Sequence, residues 1–338
     1  MLESKLTIGS KEVKNRIVMP PIATYLCADD GKVTDKLLAY YNERAAGGSI
    51  GMIMTEHSYI CKQGKAKAGQ MSISDAGDVK GLRELTAVLK QSGSLAIAQL
   101  NHAGSAAPSD ATGQKAVSAS PVVLPVTPMM GDGTVPEELT QEQIKGVVNA
   151  FADAAEIACM GGYDGVEVHT AHAYLLNQFY SPLTNRRTDE YGGSLDNRLR
   201  IHREVLKAVR ERIGQDVLMS VRLGGCDYMD GGSTISDSVY AAKVLEECGA
   251  DMISISGGMC RFARPGHDEP GYFRDMSSEV RKAVSIPVLL TGGIKEVSDA
   301  EALLADGAAD LIGIGRELLK NPKWADQAMA AINGGASR

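Results

Sequence analysis

Residues 165–174 read Gly-Val-Glu-Val-His-Thr-Ala-His-Ala-Tyr, running from strand composition straight into side chains that handle protons. Val166 and Val168 are β-branched and frame Glu167 as a strand interior does. His169 and His172 follow three residues apart, with Tyr174 two further on, so one short turn gathers two imidazoles and a phenol at the mouth of a pocket. Imidazoles hold a polar oxygen, and a phenol can give that oxygen or its neighbour a proton. The competing readings are satisfied structural histidines and two ligands of a zinc site. The chain has no HExxH pattern, no CxxC and no third ligand at short spacing, so no metal is expected.

These groups must sit on a scaffold, and composition bounds it. The chain has 338 residues, 44% apolar and 23% charged, with 37 glycines, which suits an α/β enzyme with many tight strand-to-helix turns. A net charge of −7 argues against a nucleic-acid surface. The amino terminus is charged and carries no apolar signal core, and no run of eighteen apolar residues occurs, so no membrane span or export is expected. Cys27, Cys61, Cys159, Cys226, Cys248 and Cys260 are scattered without a framework, which reads as reduced thiols in a cytoplasm and excludes the close cysteine spacing of an iron–sulfur site.

Residues 6–13 alternate around Gly9-Ser10 and predict a small hairpin plugging one end of the domain. A short strand over 16–21 stops at prolines, and Thr34 caps a helix over 35–46. The unit recurs: strand 50–55, helix 75–91, strand 95–100. A long connection rich in Pro, Gly, Ser and Met fills 101–140 and reads as a functional lid. Thr140 and Gln143 form a capping box for a helix reaching 160. Strands at 165–168, 217–223, 251–256, 287–291 and 310–314 then alternate with helices at 196–213, 236–247, 277–284, 298–306 and 322–332. Eight strand–helix units favour a closed (β/α)8 TIM barrel over an open doubly wound sheet.

In such a barrel, chemistry sits just after each strand. Those positions carry Pro21 to Tyr25, Glu56-His57, Gln99 to His102, the His169/His172/Tyr174 cluster, Arg222, Ser256 to Gly258, Gly292-Gly293 and Gly315-Arg316. The last two glycine turns predict a phosphate site. No GxGxxG follows a strand, so no Rossmann unit is expected. A phosphate at one rim, Arg222 and Gln99 together would hold a planar, electron-poor heterocycle, and flavin mononucleotide (FMN) fits that description.

Five motifs then carry a resemblance: residues 14–21, 99–104, 169–174, 179–198 and 313–319, the fourth being Phe-Tyr-Ser-Pro-Leu-Thr-Asn-Arg-Arg-Thr-Asp-Glu-Tyr-Gly-Gly-Ser-Leu-Asp-Asn-Arg. Over nearly its whole length the chain resembles the old yellow enzyme family of flavin-dependent ene-reductases. The resemblance implies that Pro21, Ile22 and Ala23 lie along the flavin, with His57 near its edge, and that Gln99 and Arg222 contact the ring. It places Gly257, Gly292, Gly293, Gly315 and Arg316 on the cofactor, the four last on its phosphate. It also implies that His169 and His172 grip the activating oxygen of an enone, enoate, enoyl thioester or nitroalkene, that Tyr174 protonates Cα, and that Tyr25 lines the substrate site. NAD(P)H is the implied reductant.

The sequence departs from the family pattern at Ala23, where relatives carry a cysteine or threonine. With Arg338 as the last residue given, neither the extended carboxyl-terminal arm of some relatives nor the iron–sulfur and second nucleotide-binding domains of longer enoate-reductase-like members are expected. One FMN-binding barrel domain over 1–338 is therefore expected. Arg261 and Arg264, in the loop after strand six, are expected to meet an anionic group on the nicotinamide donor or on an acidic or thioester substrate. Alternatives are a flavin-dependent demethylase or oxidase on the same barrel, an FMN-binding sensor without turnover, and a flavin-free phosphate-binding isomerase or aldolase. The expected partner is a small activated alkene, with no nucleic acid and no membrane; self-association is left open.

Overall fold

The structure, a computed structural model, describes residues 1–126 and 130–335. Eight parallel strands close on themselves: β1 (Ile17–Met19), β2 (Met52–Met54), β3 (Leu95–Asn101), β4 (Gly165–Thr170), β5 (Leu218–Cys226), β6 (Met252–Gly257), β7 (Val288–Thr291) and β8 (Leu311–Gly313). Strand β8 pairs with β1, and β2 with β3, so the expected TIM barrel has no open edge. The main helices between the strands are α1 (Asp35–Ala45), α2 (Val79–Lys90), α3 (Gln141–Met160), α4 (Arg200–Ile213), α5 (Ile235–Glu247), α6 (Arg274–Ala283) and α7 (Val297–Ala305), with α8 (Trp324–Gly335) last. Thr34 accepts from the Leu37 amide, and Thr140 and Gln143 form the reciprocal box anticipated from their spacing.

The barrel interior is graded, and that gradient builds the site. Inward residues recur every second position. Register aligns Ile97 with Gly165, then Gln99 with Glu167 and Ser220, then His169 with Arg222 and Ser254. The amino-terminal end is apolar: Val18, Met52, Ile97, Leu218, Met252, Leu289 and Leu311 cluster with Ile8 and Val13 of the hairpin Leu6–Ile8/Lys11–Val13. The hairpin is thus the plug the sequence indicated, and each fully buried aliphatic chain there stabilises by roughly 1.5–3 kcal/mol. Toward the carboxyl end the same rows turn polar.

Several boundaries differ from the sequence reading. Strand β4 runs to Thr170 because the Thr170 hydroxyl donates to the Arg222 carbonyl and register continues to Leu223, so His169 belongs to the strand and not to the turn. The helix expected over 196–213 splits into Leu195–Arg198 and α4, where Arg198 donates to the carbonyls of Tyr180 and Gly193. The long connection after β3 is mostly packed: Ala103, Ala106, Ala107, Leu124 and Met130 cluster with Tyr174 and Met259. Part of that expected lid, residues 127–129, lies outside the described residues.

Candidate active site

At the carboxyl ends of the strands the barrel opens into a cavity of about 520 Å³. Pro21, Ile22, Ala23 and Tyr25 form one wall after β1, and His57 and Gln99 follow from β2 and β3. His169, His172 and Tyr174 come from the end of β4, Arg222 from β5, and Arg261 from the loop after β6. Gly292, Gly293, Gly315 and Arg316 close the far end. Two expected residues are not in its lining. Gly257 ends β6 and its carbonyl accepts from the His172 amide, so it braces the histidine turn. Arg264 points elsewhere: its guanidinium pairs with Asp275 at 3.0 Å, donates to the Tyr272 carbonyl and stacks on Tyr228.

The His169/His172/Tyr174 cluster is built on strained backbone. His172 and Ala173 have φ of 62° and 61°, the left-handed region that costs a residue with a Cβ, and Tyr25 and Arg261 share it at 56° and 65°. This turn brings the His169 and His172 rings to 4.9 Å and the Tyr174 ring to 5.2 Å from His169 and 5.3 Å from His57. Tyr174 is 9% exposed, and no described residue hydrogen-bonds its hydroxyl.

Hydrogen bonds to the protein set which imidazole nitrogen carries the proton. The Gln70 Oε1 accepts from the Ala66 amide, so Gln70 must present its NH₂ to His57 Nδ1, at 2.8 Å. His169 Nδ1 accepts from the Ala171 amide at 3.2 Å. His172 Nε2 lies 2.6 Å from the Ser256 Oγ, which accepts from Arg222 Nη2 at 3.4 Å and has no other acceptor for its own proton. Each ring therefore accepts on one nitrogen and carries its hydrogen on the other: His57 on Nε2, His169 on Nε2, His172 on Nδ1. Burial, first of all, keeps them uncharged. It pulls His57 down to about 4 and takes His169 and His172 well below the usual histidine range, with Arg222 adding repulsion. Burial also raises Tyr174, so its proton stays on at neutral pH.

At the barrel floor Glu167 accepts from Gln99 Nε2 at 2.7 Å and from Ser220 Oγ at 3.0 Å. Gln99 is thereby oriented with its carbonyl toward the cavity. Burial raises Glu167, opposed by Arg222 and these hydrogen bonds. Arg222 is 4% exposed, and its Nε and Nη1 have no partner. Burial pulls its pKa down, with Glu167 opposing. Two orphaned guanidinium donors in a dry site call for an external acceptor. At the far end the amides of Gly293 and Gly315 donate to nothing among the described residues, and Arg316 forms no ion pair there. Gly292 (φ 134°) and Gly293 (φ 68°) adopt backbone that favours glycine, and a Cβ on Gly293 would meet the Glu269 carbonyl at 2.5 Å.

These groups fit FMN: Arg222, as a donor, and Gln99, through its carbonyl, would hold the edge of its ring, and Gly293, Gly315 and Arg316 would donate to its phosphate. The comparisons agree. The chain matches the NADH:flavin oxidoreductase / NADH oxidase family over residues 4–334. It belongs to that family. It is 38% identical over 333 residues to an NADH oxidase of Thermoanaerobacter brockii, covering 97% of this chain and 50% of that protein, so it spans about half that relative's length. It is 37% identical over 326 residues to an NADPH dehydrogenase of Geobacillus sp. (strain WCH70), covering 96% of this chain and 92% of the relative. Its fold matches the old yellow enzyme homologue from Zymomonas mobilis with a TM-score of 0.85 at 27% identity, over 98% of this chain and 92% of the other. FMN is the cofactor of this family, and nicotinamide nucleotides are its reductants.

Sequence reasoning missed four residues that shape this site. Ser256 and Gln70 set imidazole protons, Glu167 orients Gln99, and Phe262 packs edge-on against His172 at 6.2 Å. Glu167 carried a signal, as an acid between two valines in a strand, and so did Ser256, by its place at a strand end, although its contact with His172 did not. Among the described residues no helix is long and apolar enough to cross a membrane.

Proposed function

We propose that the chain is an FMN-dependent ene-reductase that reduces an activated alkene at the expense of NAD(P)H. The observation that carries this reading is the set of uncharged imidazoles, each with its N–H left free, beside the unbonded hydroxyl of Tyr174. FMN held by Arg222, Gln99, Gly293, Gly315 and Arg316 would supply the hydride chemistry that links NAD(P)H to Cβ of the alkene. The residues supply the rest. His169 Nε2–H and His172 Nδ1–H donate to the activating carbonyl or nitro oxygen and stabilise the negative charge that gathers on it as Cβ is attacked. Neutral imidazoles suit this role, because their protons are held in place by Ala171 and Ser256 and are not lost to the substrate. Tyr174 then gives its proton to Cα. Tyr25 and the wall after β1 confine the alkene. Anaerobic reoxidation of the reduced protein by a panel of enones, enoates, enoyl thioesters and nitroalkenes tests the reading. At least one class is expected to reoxidise it within milliseconds to seconds; no faster reoxidation than by buffer, with every class, would refute it.

A further inference from the structure

Arg261 and Arg264 look alike in the sequence, and the structure separates them. Arg264 is neutralised by Asp275 at 3.0 Å and lies outside the cavity lining. Arg261 lines the cavity, forms no ion pair among the described residues, and has a buried Nε with no hydrogen-bond partner. Its guanidinium stacks over Phe262 at 5.0 Å, and Phe262 in turn packs on His172. Its charge is felt by Tyr25, His172 and Tyr174, which places it at the substrate end and not at the glycine end. Its backbone sits at φ 65°, a conformation an arginine holds only where the surroundings impose it.

The charge has no answer nearby. Glu317 is the one carboxylate in the lining; it sits beside Arg316 at the far end and pairs with Lys320 at 2.9 Å. Glu56 acts on Tyr25 from behind, but it is held by the Thr24 amide and hydroxyl, and burial pushes its carboxyl up to about 7. A second cation, Lys67, lies over the Tyr25 ring at 4.9 Å and has no acidic partner among the described residues. Beside these charges the imidazoles offer donors only. Arg261 is only half-buried, but its Nε is shut away from water with no partner, and such a donor is costly unless an acceptor meets it.

We infer that Arg261 is an anion subsite of the substrate pocket, and that the alkene reduced here carries an ionised carboxylate in addition to the carbonyl held by His169 and His172. The inference rests on the ene-reductase reading and narrows it to one substrate class. A half-ester of an unsaturated dicarboxylic acid has both groups: its ester carbonyl goes to the histidine pair and its carboxylate to Arg261. The diester is the same alkene without the charge.

Monomethyl and dimethyl fumarate are therefore the matched probes, with Arg261→Gln removing the charge and Arg261→Lys retaining it. In the wild-type holoprotein the half-ester should have the higher kcat/KM. In Arg261→Gln the half-ester to diester ratio of kcat/KM should fall roughly ten- to hundredfold, the range for losing a hydrogen bond to a charged group. Arg261→Lys should recover part of it. The Kd of the saturated half-ester, monomethyl succinate, measured by calorimetry without turnover, should rise in parallel. An unchanged ratio overturns the inference. So does a rise confined to the KM for NAD(P)H, which would assign Arg261 to the phosphates of the donor. If the wild type reduces the diester but not the half-ester, the subsite is wrong and the ene-reductase reading stands. If it reduces neither of these, nor any alkene of the wider panel, both fall.

Discussion

Tyr174→Phe removes one hydroxyl and nothing else that the fold uses. The ring is packed 5.2 Å from His169 and 5.3 Å from His57, and phenylalanine keeps both contacts. The hydroxyl makes no hydrogen bond among the described residues, so its loss strands no buried partner there. The variant should keep its stability within about 0.5 kcal/mol of wild type, about 1–2 °C in Tm for a chain of this size. Its effect on rate is then chemical. Reduction of bound flavin by NAD(P)H requires no proton from the protein and should proceed near the wild-type rate. Reoxidation by an enone should fall by roughly 10²–10⁴, the usual contribution of a positioned general acid. Nitroalkenes should lose less, since the nitronate is stable before it is protonated. Stopped-flow traces of the two half-reactions, followed at the flavin absorbance, read both numbers from one preparation. Equal slowing of both halves, or of neither, would refute the assignment of the proton to Tyr174.

Arg222→Ala should weaken FMN binding roughly 10- to 150-fold, because two unpartnered guanidinium donors are lost; titration of flavin fluorescence quenching measures it, and an unchanged Kd would mean the orphaned donors do not face the cofactor. Ser256→Ala frees His172 to take the other tautomer, so KM for enones should rise several-fold while reduction by NAD(P)H is spared and Ser256→Thr restores binding; no change in KM would show that the 2.6 Å contact does not set the tautomer. Stability should fall in acid. His57, His102 and His202 have folded values near 4, below the unfolded value of about 6.5, and His169 and His172 lie lower still. The unfolded chain therefore binds more protons below pH 6.5, and the stabilisation present above that pH drains away as pH drops toward 4, by up to about 1.4 kcal/mol per unit for each histidine. A Tm that stays flat from pH 7 to 4.5 would contradict the buried, neutral assignments.

The barrel was legible because its strands are short apolar runs bounded by glycine and its helix starts carry local caps; both signals act within a few residues of themselves. Residues that the sequence placed after the strand ends, from Pro21 to Arg316, were largely found together for the same reason, since a closed barrel brings all its carboxyl-terminal strand ends to one rim. Pairings across long separations were not legible. Ser256 reaches His172 from 84 positions away, and Gln70 reaches His57 from a loop with no pattern of its own. Arg264 was grouped with Arg261 because nothing in the local sequence shows that Asp275 neutralises one and leaves the other free. Gly257 was grouped with the cofactor glycines on a similar basis, although its carbonyl is occupied by the His172 amide.

The most direct measurement is the position of solvent hydrogen in the product of an enone reduced by NAD(P)H in D₂O, read by NMR. Delivery of hydride to Cβ and of the Tyr174 proton to Cα predicts deuterium at Cα and protium from the nicotinamide at Cβ. A product without deuterium at Cα, or recovery of the enone unreduced, would contradict the account.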